Sequence, residues 1–441
     1  EIAQCLVGSE MCIRDSFKGN KKNMKKIKVL VGHPGKQHSL KLAEAILNDS
    51  KYDLIYATTV YDKKNSFFMR FVKAILSSKN KERANARKSE LLEDSQVITF
   101  CSILGLFRIF LAHYDKSQKY FQKMTCYLGD VFGTKMAKYA IKNDIDIIIT
   151  YDTFSQKCYE YIDHYAKKRI IKVMDASAAN LSYQKKIFEK DMKCSPEFAE
   201  KLKQEISFTL NDERQNYYID EAKRADYIIA ASEFSKKSYV AVGVPKKNVF
   251  VCPYGMDSLN YEEKHIGKTD ELVFTFMGGT RQAKGLSYVL EAFTRLSNKD
   301  TRLNIVGKDN LVQDIKKKYR GNIKYWGQQL HSKIPEILSE TDILLFPSLS
   351  DGFGFAAAEG MAAGCPVIAS ENSGIADLIE DGINGYVIPI QSTEALYEKM
   401  LWFVDNREKI QTMSDNAVRT IKKMTWEQYN QKILDLSLIH I

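Results

Sequence analysis

Short apolar runs recur along the chain and alternate with segments of helical period. Residues 27–32 (IKVLVG), 52–61 (YDLIYATTVY), 97–102 (VITFCS), 146–151 (DIIITY), 170–175 (IIKVMD), 226–232 (DYIIAAS) and 249–255 (VFVCPYG) have the length and β-branched content of buried strands. Helix-period segments such as 36–48 and 233–241 lie between most of them. A polar stretch from Asn260 to Asp270 comes next, and then the pattern restarts. Residues 272–278, 302–307, 323–327, 343–348, 366–370 and 385–389 are again predicted strands with helices between. Strand and helix in alternation imply parallel sheets covered on both faces. The fold class predicted is α/β: two doubly wound, Rossmann-like domains in tandem, over 24–260 and 261–420, facing an interdomain cleft. No strand comes after the last helices, and residues 421–435 are expected to pack back across the hinge.

The 441 residues are enough for two or three domains with full cores. The eight cysteines are scattered without metal-binding spacing, which fits a reducing, cytoplasmic compartment. The most apolar stretch, VITFCSILGLFRIFLAHY, carries Arg108 and His113 and reads as a strand followed by a helix rather than a membrane span. The net charge of +10 comes from lysine spread along the whole chain. It describes either a solvated surface or attraction to an anionic ligand or membrane face. Nucleic acid is not an expected partner, because no aromatic-interleaved basic groove is evident. MCIRDS (Met11 to Ser16) and LSLIHI (Leu436 to Ile441) can be encoded by one DNA element in opposite orientations. Residues 1–16 and 436–441 are therefore expected to be translated sequencing adapter, with Met24 the expected native start.

Three blocks carry candidate chemistry. In SDGFGFAAAEGMAAG, Gly352 and Gly354 permit a tight turn and close backbone approach before a helix starting near Ala356. That helix N-terminus favours an anion such as phosphate. Asp351 precedes the turn, and Glu359 sits one turn inside the helix, where a carboxylate can accept both hydroxyls of a ribose diol. The second block is FMGGTRQAKG. Gly278 and Gly279 end a strand, and Arg281 and Lys284 precede a helix opened by Gly285. Two fixed cations there suit a diphosphate leaving group and replace a divalent metal. No metal and no cofactor are expected. The third block, VLVGHPGKQHS, places Gly32, His33, Gly35 and His38 in a strand–loop–helix turn that is neither GxGxxG nor a Walker A loop.

The order and spacing of the first two blocks, together with ADYIIAASEFSKKSYVAVGVPKKNVFVCPYGMD (225–257), resemble the retaining glycosyltransferases of family 4, which have the GT-B fold. The resemblance implies that Glu359 binds the nucleotide ribose. It implies that Asp351, with the segment Gly352, Phe353, Gly354 and Phe355, holds the donor sugar. Arg281 and Lys284, beside Gly278 and Gly279, would hold the diphosphate, and Trp326 and Gly327 would lie near the base. The chain departs from the family at three places. Asp351 stands where the E-x7-E motif has its first glutamate. Gly279 stands where an arginine often follows the first glycine, with Arg281 two positions on. The middle strand that carries a cleft histidine in many members here ends Thr150-Tyr151-Asp152, so Asp152 or Asp175 would take its place. Gly32, His33, Gly35 and His38 would lie on the acceptor side.

The activity implied by the resemblance is transfer of a sugar from a nucleotide-sugar donor to a sugar, lipid-linked or glycan acceptor, in glycan biosynthesis. A retaining glycosidase acting through Asp351 and Glu359 would need carboxyls about 5 Å apart across a glycosidic bond, which a loop acid and a helix acid do not offer. A catalytically decayed nucleotide-sugar-binding scaffold is the other alternative. Residues 63–88, with Phe67, Phe68, Phe71 and many basic residues, read either as a peripheral contact with an anionic inner-membrane face or as an ordinary basic solvent face.

Overall fold

The computed structural model describes residues 25–440 apart from 36–37, 65, 75–83, 86, 116, 258–270, 297–299, 312 and 320. The expectations placed on residues 1–16, Met24 and Ile441, on residues 65, 75–83 and 86 of the basic segment 63–88, and on the side chains of Phe67, Phe68 and Phe71 lie outside the described residues. Seven strands form the first sheet: β1 (Ile27–Gly32), β2 (Tyr52–Thr58), β3 (Val97–Thr99), β4 (Ile147–Tyr151), β5 (Ile171–Ala176), β6 (Tyr227–Ala230) and β7 (Val249–Val251). All pair in parallel, in the order β3-β2-β1-β4-β5-β6-β7. Six more form the second: β8 (Leu272–Met277), β9 (Thr301–Val306), β10 (Ile323–Gly327), β11 (Ile343–Phe346), β12 (Val367–Ser370) and β13 (Gly385–Ile388). They too are parallel, in the order β10-β9-β8-β11-β12-β13. The two doubly wound α/β domains expected from the alternation are present.

Three predicted strands end three or more residues early, each for a local reason. β2 stops at Thr58 because Thr59 turns to donate its hydroxyl to the Pro34 carbonyl at 2.7 Å, tying the β2 end to the β1 loop. β3 stops at Thr99, and Cys101 adopts φ +57 to turn the chain into the helix Ser102–Tyr114. β7 stops at Val251, ahead of Pro253, which has no N–H to offer a ladder.

The domains share apolar cores in two ways. Phe188, Phe198, Leu202 and Ile206 come from helices Leu181–Cys194 and Pro196–Glu205 and the residue after them, between β5 and β6. They nevertheless pack into the second domain's core with Leu286, Phe293 and Leu345. The last helix, Trp426–His440, lies on Ser39–Leu47 of the first domain. It buries Tyr429 and Ile433 in one cluster with Val29 and Ile46, and the Met256 N–H donates to the Met424 carbonyl at 2.7 Å. Among the described residues no helix is long and apolar enough to cross a membrane.

Candidate active site

In a doubly wound sheet the ligand crevice opens where the strand order reverses, beyond the carboxyl ends of the strands. For the second sheet that point lies between β8 and β11, which are neighbours although two strands separate them in sequence. The glycine-rich and acidic loops of the second domain emerge at this point. After β8 come Gly278 and Gly279, then exposed Arg281, then the 3₁₀ turn Gln282–Lys284. Gly285 closes that turn at φ +83, and a Cβ there would fall 2.1 Å from the Pro347 carbonyl beyond β11. Across this seam Lys284 Nζ pairs with the Asp351 carboxylate.

Asp351 is held from behind by the loop after β12. Its N–H donates to the Asn372 carbonyl, and its own carbonyl accepts from the Gly374 N–H, both at 3.0 Å. Its other carboxylate oxygen accepts from the Phe353 N–H at 3.3 Å. The chain then turns through Gly354 at φ +92 into the helix Phe355–Ala362. Glu359, half-buried on that helix, has its pKa raised by burial, and nearby His331 opposes the shift. Further along the row, the Gly307 N–H donates to the Gly327 carbonyl at 2.9 Å. There Lys324 Nζ stands 3.6 Å over the Trp326 ring, whose buried Nε1 has no partner among the described residues.

The first sheet reverses between β1 and β4, and the acceptor-side candidates lie there. His33 is buried, takes the Gly35 N–H on Nδ1 at 2.9 Å, and meets the Tyr151 ring edge-on at 5.0 Å. Burial pushes its pKa down to about 3, so the ring is neutral. His38 Nε2 pairs with Asp175 Oδ2 at 3.2 Å, and the Tyr254 hydroxyl donates to Asp175 Oδ1 at 3.4 Å. The Asp152 N–H donates to the Asp175 carbonyl at 3.1 Å, and its carboxylate accepts from Ser177 Oγ at 3.1 Å. Burial, with the Asp175 charge beside it, raises Asp152 to about 6. Gly32 differs from its neighbours: a Cβ there would strike Met136 Sδ at 2.4 Å, so its close contact is with the core rather than the crevice.

The two crevices face each other directly. A Cβ on Gly352 would lie 2.0 Å from the Ser177 carbonyl, so the two loops are in backbone contact. Tyr254 stacks on Phe355 at 5.7 Å, meets Phe353 at 5.6 Å, and touches the His38 ring at 4.1 Å. Asp152, Asp175, His33 and His38 thus lie across this seam from Asp351, Phe353 and Phe355. Sequence reasoning did not single out Tyr254, Ser177 or Glu205. Glu205 binds the N–H groups of Gln282 and Ala283 at 3.0 and 2.9 Å, fixing the turn that carries Lys284. The CPYGMD segment was the available signal for Tyr254, whereas Glu205 sits in an ordinary charged helix and offered none.

Residues 257–420 match the family model described as glycosyl transferases group 1. A Klebsiella pneumoniae protein described as an uncharacterized 41.2 kDa protein in the cps region is 30% identical over 188 residues, 41% of this chain and 52% of that one. The chain spans about half the length of the curated relatives it matches. Among solved structures, sucrose-phosphate synthase from Thermosynechococcus elongatus aligns over 93% of this chain and 98% of its own, with a TM-score of 0.60 and 16% identity. HepE from Anabaena, solved in complex with UDP and glucose, aligns over 94% and 100%, with a TM-score of 0.55 and 17% identity. The fold is GT-B.

Proposed function

We propose that this chain is a retaining, metal-independent glycosyltransferase that transfers a sugar from a nucleotide-sugar donor to a glycan or lipid-linked acceptor at the cytoplasmic face of a membrane. One observation carries the reading. The Lys284–Asp351 pair spans the crossover of the second sheet, and the loop after Asp351 abuts the carboxylate and histidine cluster at the crossover of the first. The group 1 match over 257–420 and the UDP bound by HepE support a nucleotide at this crevice.

In this reading Glu359 accepts the ribose hydroxyls. Arg281, Lys284 and the leading N–H groups of helix Phe355–Ala362 stabilise charge on the departing diphosphate, the work a metal does elsewhere. Gly278, Gly279 and Gly354 let backbone approach the donor, and Trp326 and Gly327 flank the base. Asp351 faces the sugar, while Asp152 and Asp175 orient the acceptor hydroxyl. The hydroxyl attacks on the face the diphosphate leaves, its proton passes to a donor phosphate oxygen, and configuration is retained. Closure of the seam around Tyr254 and Phe355 excludes water from the donor.

Calorimetric titration with nucleoside diphosphates and their sugar conjugates tests the donor side. Removing a charged acceptor costs roughly 1.5–3 kcal/mol, about tenfold or more in affinity. Glu359→Ala is therefore expected to weaken diphosphate and donor alike. Asp351→Asn is expected to keep diphosphate affinity and lower turnover, because free diphosphate lacks the sugar. Equal loss in both variants, or none in either, contradicts the assignment.

A further inference from the structure

The turn Gln282–Lys284 carries both donor-side cations, Arg281 just before it and Lys284 at its end, yet its own residues do little to hold it. Arg281 stands at the N-cap position and makes no side-chain cap bond. The bonds internal to the turn run from the Lys284 N–H to the Arg281 carbonyl at 3.2 Å and from the Gly285 N–H to the Gln282 carbonyl at 2.8 Å. The N–H groups of Gln282 and Ala283 are the orphan donors that every helical start leaves. Glu205 takes both, one on each carboxylate oxygen, from 77 and 78 residues earlier in the chain. An ordinary N-cap offers one oxygen from the adjoining residue. Here the cap is a carboxylate at the end of helix Pro196–Glu205, which the chain inserts between two strands of the first domain.

The rest of the turn is anchored separately. Gln282 is fully buried, and its Nε2 donates to Asp191 Oδ2 at 2.8 Å and to Ser287 Oγ at 2.9 Å. Its Oε1 accepts from the Ser287 N–H at 3.0 Å. Asp191, fully buried on helix Leu181–Cys194, also accepts from the Tyr288 hydroxyl at 2.5 Å. These bonds hold the Gln282 side chain, whereas those to Glu205 hold the backbone of the turn. Lys284 has little room to absorb a backbone shift. Its Cγ lies 3.1 Å from where a Cβ on Gly278 would sit, and its Nζ pairs with Asp351. Burial raises the Glu205 pKa, and its two N–H bonds and the charges of Arg281 and Lys201 oppose the rise. Because those N–H groups are engaged, an anion at this turn meets the cations of Arg281 and Lys284 rather than the backbone of Gln282 and Ala283.

We infer that Glu205 is a positioning residue for the donor diphosphate: by capping this turn from the first-domain insertion, it sets where Arg281 and Lys284 meet the phosphates. This rests on the donor reading of the crevice.

The test uses the full chain with uridine, cytidine, thymidine, adenosine and guanosine and their 5′-diphosphates. Ligand-observed NMR reads the affinities, so that millimolar binding is visible. For the base the wild type takes, the readout is the ratio of diphosphate to nucleoside affinity. Glu205→Ala is expected to weaken the diphosphate about tenfold or more and to leave the nucleoside within about twofold. Glu205→Gln keeps one acceptor oxygen and is expected to restore part of the loss. In an Arg281→Ala/Lys284→Ala background Glu205→Ala is expected to add no further loss, because a residue that acts through those cations is not additive with them. Tyr288→Phe removes a bond from Asp191 without touching the turn and is expected to keep the ratio. Unchanged diphosphate affinity in Glu205→Ala, equal weakening of nucleoside and diphosphate, the same loss in the background without the cations, or a ratio shifted as far by Tyr288→Phe overturns the positioning role. If Glu205→Ala fails to fold, Glu205→Gln decides, and wild-type diphosphate affinity in that variant overturns the role. A wild type that binds no diphosphate more tightly than its nucleoside contradicts the donor reading itself, so the two failures are distinguishable.

Discussion

Glu221 shows how far a single buried acid can be displaced from its ordinary behaviour. It is 2% exposed and accepts the N–H groups of Thr153 at 2.8 Å and Ser155 at 3.2 Å, just beyond β4. These bonds hold the chain where Thr153 takes φ +74, next to Asp152. Burial, with Asp152 nearby, pushes its pKa from 4.5 up to about 8. Between those values the folded chain keeps a proton that the unfolded chain has released. The unfolded state then binds fewer protons, so this group's contribution to stability falls as pH rises through that window. Glu221→Gln cannot titrate and keeps one acceptor. From pH 5 to 8 the wild type is expected to lose stability relative to this variant, by on the order of 1 kcal/mol per pH unit at most. Thermal denaturation across the range measures it, and a constant difference contradicts it. Asp351 and Glu359 were legible from the sequence because each stands within a few residues of the glycines that shape its loop. Glu221 was not, because its partners are 66 and 68 residues away.

At the scale of elements, the loop after β11 is clamped between two others. Gly352 touches Ser177 across the seam, and a Cβ on Gly374 would meet the Gly352 carbonyl at 2.3 Å. Gly352→Ala must therefore move either its own loop or the other domain. The expected outcome is loss of donor-dependent turnover of tenfold or more with far-UV circular dichroism unchanged; full activity would show that the seam does not need this contact. Apolar runs and their turn residues made the strands themselves readable. Their last residues were not, because what ends β2 is a hydroxyl reaching the Pro34 carbonyl 25 residues away. Likewise, helices Leu181–Cys194 and Pro196–Glu205 look like first-domain crossovers in sequence. Their apolar faces match a second-domain surface that no local pattern displays.

For the whole molecule, the two domains are joined by the seam and by the helix Trp426–His440, which crosses back to the first domain. Tyr429 is 2% exposed there, with its ring 6.0 Å from that of Tyr254, so the crossing helix supports the aromatic cluster of the cleft. Tyr429→Ala is expected to cost about 3–5 kcal/mol, as large aromatic truncations in cores do, and denaturant titration reads it directly. A cost below about 1 kcal/mol, the scale of surface substitutions, would show that the helix does not anchor the domains. The central claim is that the chain transfers a sugar with its own cations in place of a metal. The most direct measurement is release of nucleoside diphosphate from a panel of nucleotide sugars, with and without EDTA, by the wild type and by Lys284→Ala. The account predicts release from at least one donor, undiminished by EDTA and reduced at least tenfold in the variant. Donor binding without release, or release abolished by EDTA and restored by magnesium, would contradict it.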